Sequence, residues 1–68
     1  MIEIHLDQYL KKRQMTLTQL SEAVDITIAN LSILKSGKAK AIRFSTLEKI
    51  CEVLECQPSD LISYVPED

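Results

Sequence analysis

The stretch from Thr16 to Lys38 reads TLTQLSEAVDITIANLSILKSGK, and its helix start and stop signals decide the fold. Thr16 is followed three residues later by Gln19, the spacing of a capping box. The hydroxyl accepts from the third helical amide while the Gln side chain reaches back to the cap. Met15 and Leu20 stand where a hydrophobic staple needs them, so a helix is predicted to start at Leu17 with Leu17, Leu20 and Val24 on one side. Asp25 is a short polar residue able to occupy a turn. Thr27 then reads as the next N-cap, stapled by Ile26 and Leu31, and its helix runs through Lys35 until Gly37 supplies a left-handed stop.

Working outward, Leu6, Tyr9 and Leu10 keep helical spacing in a segment that closes near Gln14. On the other side KAKAIRF (38–44) carries no helix start. Ser45 with Glu48 reads as a second capping box ahead of Leu47, Ile50, Cys51 and Leu54, predicting a fourth helix over about 45–55. Pro58 suits the first position of a short fifth helix, with Asp60 in its opening turn. The termini, IEI (2–4) and ISYV (62–65), are rich in β-formers and are expected to pair as a small antiparallel ribbon. The expected class is therefore all-α, with five helices. Two helices joined by a three- or four-residue turn, the second N-capped and followed by a basic loop, describe a helix-turn-helix unit over about residues 16–36.

With 68 residues the chain reads as one domain, 1–68, and a chain this short buries only about 60% of the surface it exposes when unfolded. A hydrophobic share of 46% with one Gly and two Pro is globular rather than disordered. No apolar run approaches the roughly 20 residues of a membrane span, and MIEIHLDQ is not a secretion signal, so a cytoplasmic location is expected. Cys51 and Cys56 are five apart, which fits neither a CxxC pair nor a zinc knuckle; they read as reduced, packed thiols, with a reactive Cys56 as the alternative. His5 has no His or Cys neighbour and is assigned a structural role. One His without a nucleophile, no Gly-rich phosphate loop and no carboxylate pair argue against an enzyme, and no cofactor, metal or small-molecule ligand is implied.

Net charge is −2, from 8 basic and 10 acidic residues, but its distribution matters more. No acid lies between Ile26 and Leu47, while Lys35, Lys38, Lys40 and Arg43 all do, and Lys11, Lys12 and Arg13 form a smaller cluster before them. A cation-bearing stretch of this kind is either a solvated surface or a phosphate-facing one.

From Thr16 to Ile62 the chain resembles the Cro and phage-repressor type helix-turn-helix family, also called the XRE family. The likeness lies in TLTQLSEAVDITIANLSILKSGK and FSTLEKICEVLECQPSDLI. GKAKAIRFSTLEKICEVLECQPSDL is similar to a branch of small single-domain regulators. The resemblance implies a five-helix lambda-repressor-like fold, a third helix placed in the major groove of double-stranded DNA, and a tendency to homodimerise. Carried over by position, the base-reading sites fall on Ile28, Ala29 and Ile33, with Asn30 and Ser32 beside them and Thr27 at the cap. Thr16 and Thr18 mark the start of the second helix. The backbone-contacting loop falls on Ser36, Lys38, Lys40 and Arg43, and Arg43 matches an arginine that enters the minor groove in some members. The chain departs from the family pattern at Leu17 (usually Gln), Ser21 (Ala), Asp25 (Gly), Lys35 (Glu) and Leu10 (Arg).

The expected function is a sequence-specific transcriptional regulator, a repressor, acting as a dimer. Its reading helix is unusually apolar. Isoleucines can still discriminate by touching thymine methyls, and Asn30 is the one side chain there able to pair bidentately with a base. Exposed isoleucines rimmed by polar residues equally describe a protein-docking face, so an antirepressor or antitoxin-like interaction module stands as the alternative. Leu31 and Leu34 are expected in the core. The free apolar surfaces for a dimer are expected in LISYV and IEI.

Overall fold

The computed structural model describes residues 1–67. In chain order it contains β1 (Ile2–Ile4), α1 (Leu6–Lys12), α2 (Leu17–Val24), α3 (Ile28–Lys35), α4 (Phe44–Leu54), α5 (Pro58–Leu61) and β2 (Ile62–Tyr64). The described residues thus form five helices and a two-stranded ribbon.

Each of the first four helices must stop abruptly for its apolar face to meet the next. All four stop in the same way. Gln14, Asp25, Gly37 and Glu55 adopt left-handed φ values of 55°, 57°, 79° and 53°. After each, the next amide turns back to the carbonyl five residues earlier: Met15 to Leu10 at 2.9 Å, Ile26 to Ser21 at 3.2 Å, Lys38 to Ile33 at 3.2 Å and Cys56 to Cys51 at 3.0 Å. That bond closes a Schellman turn, in which the residue after the left-handed position commonly packs back on the helix. Met15, Ile26 and Cys56 do so, lying half-buried against the core.

The core is Leu6, Leu10, Leu20, Val24, Leu31, Ile50, Leu54 and Leu61, and among the described residues no polar side chain is buried with them. α2 lies at its centre, packing on α3 and α4, while α1 packs on α3 and α5 on α4. The predicted capping box at Thr16 is present in both directions: Gln19 N–H donates to the Thr16 hydroxyl at 3.1 Å, and Thr16 N–H to the Gln19 side chain at 2.9 Å. α5 is held at its start by the Asp60 carboxylate, which accepts from the Gln57 amide at 2.8 Å.

The ribbon pairs Ile2 with Tyr64, Glu3 with Ser63 and Ile4 with Ile62, antiparallel. His5 joins it to the helices. Its amide donates to the Leu61 carbonyl at 2.7 Å, and its Nε2 lies 2.7 Å from the Ser63 hydroxyl, which accounts for the structural role expected of it. Of the apolar surface expected to be free for a partner, Leu61 is in the core and Ile4 and Ile62 lie against it, while Ile2, Tyr64 and Val65 stay exposed.

Two expectations need correction. Helix four begins at Phe44, not Ser45, and Ser45 caps nothing. Arg43 is the extended residue before the helix (φ −74°, ψ 143°), and its carbonyl accepts the first helical bond, from Leu47 at 3.0 Å. Ser45 is already inside the first turn, where its hydroxyl has no cap geometry to satisfy. Arg13, grouped with a basic cluster in the sequence, is a structural clamp. Its Nε donates to the Leu54 carbonyl at 2.7 Å and its terminal nitrogen to the Glu55 carbonyl at 2.9 Å, covering the negative end of α4.

Both cysteines are free thiols and half-buried. Desolvation, together with the neighbouring Cys51 thiol, pushes Cys56 up to about 11. A thiol so protonated is a poor nucleophile. Iodoacetamide at pH 8 is expected to modify native Cys56 roughly ten-fold or more slowly than it modifies the unfolded chain. Because the folded state holds this proton more tightly, the associated stability is present below pH 9.0, the ordinary value, and is lost as pH rises through about 11. Alkylation rates and urea midpoints across that range check both statements.

A side chain in the left-handed region is strained by about 1 kcal/mol relative to glycine. Glu55→Gly should therefore stabilise the fold by about that amount and raise Tm by several degrees, since a domain of this size gains roughly 4–8 °C per kcal/mol. Ser45→Ala should leave the midpoint unchanged within about 0.5 kcal/mol, as is usual for exposed sites away from special features. Thermal melts of the two variants test the reading of α4 at both of its ends.

Candidate nucleic-acid interface

α3 is a helix whose two sides do different work. At 100° per residue, Ile28, Ala29, Ser32, Ile33 and Ser36 share an arc of about 140°, and Leu31 and Leu34 fall on the opposite side. Leu31 is 1% exposed and Leu34 half-buried against the core, whereas Ile28 and Ile33 remain 47% and 48% exposed. The outward isoleucines are thus surplus to the core. Asn30 lies at the flank of this arc, facing a groove of about 560 Å³ between α3 and the loop that follows it. Asn30 and Ile33 line its helix side, and Lys40, Arg43 and Thr46 its loop side.

The entry to α3 depends on the turn at Asp25–Thr27. Ser21 stitches this turn shut twice: its carbonyl accepts from the Ile26 amide at 3.2 Å, and its hydroxyl donates to the Ile26 carbonyl. Thr27 is extended (φ −64°, ψ 149°), and its hydroxyl accepts from the Asn30 amide at 3.2 Å. Thr16 does the same for α2 through Gln19. Each cap hydroxyl spends a lone pair on its own helix and keeps its proton to donate elsewhere. The first helical amides beside them, at Leu17, Thr18, Ile28 and Ala29, have no intrahelical acceptor and point out at the positive end of the dipole. Two helix starts with free donors suit anionic oxygens.

The loop from Lys38 to Arg43 is held by its small and apolar residues. Ala39 and Ile42 are half-buried, Ile42 against the core, while Lys38, Lys40 and Arg43 are exposed. Of these cations, Lys40 and Arg43 line the groove beside α3. Ser36 reaches the same surface, but its hydroxyl proton is committed to the Ile33 carbonyl at 2.8 Å, so it offers acceptor lone pairs. Every residue expected at the interface is exposed: Thr16, Thr18, Thr27, Ile28, Ala29, Asn30, Ser32, Ile33, Ser36, Lys38, Lys40 and Arg43. Lys12 of the smaller basic cluster lies 5.1 Å from the centre of the Tyr9 ring, a cation–π contact. Among the described residues no group of three or more His, Cys, Asp or Glu side chains could hold a metal, and no helix is long and apolar enough to cross a membrane.

The groove and turn follow a known pattern. The Cro/C1-type HTH DNA-binding domain profile matches residues 5–67. The chain belongs to this family. It is 65% identical over 63 residues to the uncharacterized HTH-type transcriptional regulator YozG of Bacillus subtilis (strain 168), an alignment covering 93% of this chain and 75% of YozG. Its fold is similar to the crystal structure of the transcriptional regulator VanUg, with a TM-score of 0.76 and 30% identity, covering 97% of this chain and 87% of that one. The family is one of DNA-binding transcriptional regulators, not an enzyme class. Within a Cro/C1-type domain, the departures at Ser21 and Asp25 are compensated locally, because Asp25 takes the left-handed turn and the Ser21 hydroxyl secures the carbonyl beyond it. Leu10, where the resemblance expects an arginine, is a core residue 6% exposed, and its neighbour in the chain Arg13 clamps the end of α4.

Two features of this region escape a sequence reading. Thr46 lines the groove although it lies inside α4, and Phe44 is 85% exposed beside the loop. An aromatic next to a helix start reads as core, and nothing local reveals the contrary.

The Ser21 hydroxyl is a specific test of the turn. Ser21→Ala should cost about 1 kcal/mol, the worth of one net hydrogen bond, and should loosen α3 relative to α2. Faster hydrogen exchange at the Ile28–Leu31 amides, with α4 protection unchanged, would be the expected signature.

Proposed function

We propose that this chain is a sequence-specific transcriptional regulator of double-stranded DNA, a repressor, that inserts α3 into the major groove as a homodimer. The observation that carries the reading is the groove in which Asn30 and Ile33 of α3 face Lys40 and Arg43 of the loop; an exposed outer arc of α3, two helix starts with free donors and the absence of any acid from Ile26 to Leu47 support it. Phosphates would take up the cap donors of Thr16, Thr18 and Thr27 and the charges of Lys38 and Lys40. Ile28, Ala29 and Ile33 would meet thymine methyls, with Ser32 between them, and Asn30 would pair with an adenine edge. Arg43, at the mouth of the groove, suits a narrow A·T-rich minor groove. A protein occupying such a site excludes others from it, which makes repression the direct consequence of binding. This role belongs in the cytoplasm.

A second reading rests on the same isoleucines. At nearly half exposure, Ile28 and Ile33 would also seat a protein partner, as in an antirepressor or antitoxin-like module. Salt separates the two, since phosphate contacts release counterions and apolar contacts do not.

Lys38→Ala and Lys40→Ala should each weaken binding to a selected site and to a scrambled duplex alike, and lower the salt slope by about one unit per lost contact. Ile28→Ala and Asn30→Ala should leave the slope nearly unchanged and relax selection at one or two base pairs, by about 1–3 kcal/mol each. Salt titrations against both duplexes read both effects. Lysine variants that bind like the parent would favour the protein-docking reading.

A further inference from the structure

The outer arc of α3 is defined by what it lacks. From Thr27 to Leu34 there is no Arg, Lys, Gln, Asp or Glu. Each base edge in the major groove asks for a particular partner: guanine a bidentate Arg or Lys, the cytosine amine a carboxylate, adenine an Asn or Gln, and thymine an apolar contact with its C5-methyl group. The arc answers only the last two, adenine at Asn30 and methyl groups at Ile28, Ala29 and Ile33. Ile28 and Ile33 are nearly half exposed and about 140° apart around the helix, so the fold leaves two separate aliphatic surfaces uncovered. Their surroundings suit a polyanion: Ile33 lines the same groove as Lys40 and Arg43, and no acid lies from Ile26 to Leu47.

We propose that α3 reads the C5-methyl group of pyrimidines as such, from thymine or from 5-methylcytosine, so that methylating a cytosine in the site strengthens binding. The two bases carry the methyl at the same ring atom and differ at position 4, an oxygen in thymine and an amine in cytosine. Telling them apart takes a committed donor or acceptor beside the methyl contact. Beside Ile28 stands the exposed Ser32, about 40° away and one turn on, and a hydroxyl both donates and accepts, so it suits either base. Beside Ile33, about 60° away in the same groove, stands Asn30, whose amide matches adenine and holds that position to a T·A pair. Ile28 is therefore the contact that accepts both sources of the methyl, and Ile33 the one that accepts thymine alone.

Burying one methyl group is worth about four-fold in affinity. No charge is gained or lost with it, so the salt slope stays the same. The inference rests on the proposed placement of α3 in the major groove and names the chemical feature that it recognises there.

The full chain is titrated at one moderate salt concentration with a selected duplex in which each thymine is replaced in turn by deoxyuridine, which removes the methyl and leaves the pairing intact. Affinity should fall about four-fold at one or two positions of each half-site and hold elsewhere. Ile28→Ala should bind thymine and uracil alike at one of these positions, and Ile33→Ala at the other. Where Ile28 acts, a C·G pair should bind more weakly than T·A, and 5-methylcytosine should regain the lost factor; where Ile33 acts, methylation should regain nothing. The uracil series alters only the DNA, so it stands even if a variant fails to fold. Deoxyuridine duplexes all within about two-fold of the parent duplex overturn the proposal. So does a methyl effect that persists undiminished in both folded isoleucine variants, or a methylated cytosine bound no better than a plain one at the Ile28 position. A chain that binds no duplex even at low salt overturns the proposed function as well, whereas one that binds the selected duplex and ignores its methyl groups overturns this inference alone.

Discussion

The left-handed closure of each helix is the constraint on which everything else depends. A chain of 68 residues has too little surface to bury to tolerate a helix running past its turn. By stopping at Gln14, Asp25, Gly37 and Glu55, the helices bring their leucines into one cluster instead of several. Only one of these positions is a glycine. At the other three a side chain accepts an unfavourable backbone, and the strain is offset by the apolar residue that follows: Met15, Ile26 or Cys56 packs inward as the turn closes. Turn and core are thus stabilised together, and neither would hold alone.

The α2–α3 turn shows what this arrangement does for the site. Leu20 and Leu31, 0% and 1% exposed, anchor the two helices, and Ser21 and Asp25 set the angle between them. With α3 held by its inner side, the outer arc is free to carry residues that the core does not need. That explains how a helix with so many aliphatic positions can still present a surface: Ile28 and Ile33 are turned about 60° to 160° from Leu31 and Leu34, so hydrophobicity is spread around the helix and not confined to one stripe.

Charge is divided between two faces. The cations of the α3–α4 loop accompany the outer arc, and the carboxylates of Glu48 and Glu52 border an apolar groove on α4. Arg13 and Lys12, which look like an extension of the basic surface in the linear chain, are spent within the fold, on the carbonyls of Leu54 and Glu55 and on the ring of Tyr9.

The sequence by itself determined what rests on neighbours within a turn or two. Thr16 with Gln19, Thr27 as a cap, Gly37 as a stop and Pro58 as a start are local hydrogen-bonding and backbone preferences, and each stands where its spacing placed it. The exposure of the candidate contact residues was legible for the same reason, since helical periodicity separates Leu31 from Ile28 and Ile33. Ser45 shows the limit: Ser45 and Glu48 have the spacing of a capping box, but the packing of Ile42 and Leu47 against the core starts α4 one residue earlier and leaves that spacing unused. Only the tertiary structure decided that Arg13 clamps a helix 41 residues away, that the ends of the chain meet through His5 and Ser63, and that Phe44 is left in solvent. Those outcomes depend on which surfaces the other helices have already covered, and residues distant in sequence carry no periodicity that could announce it.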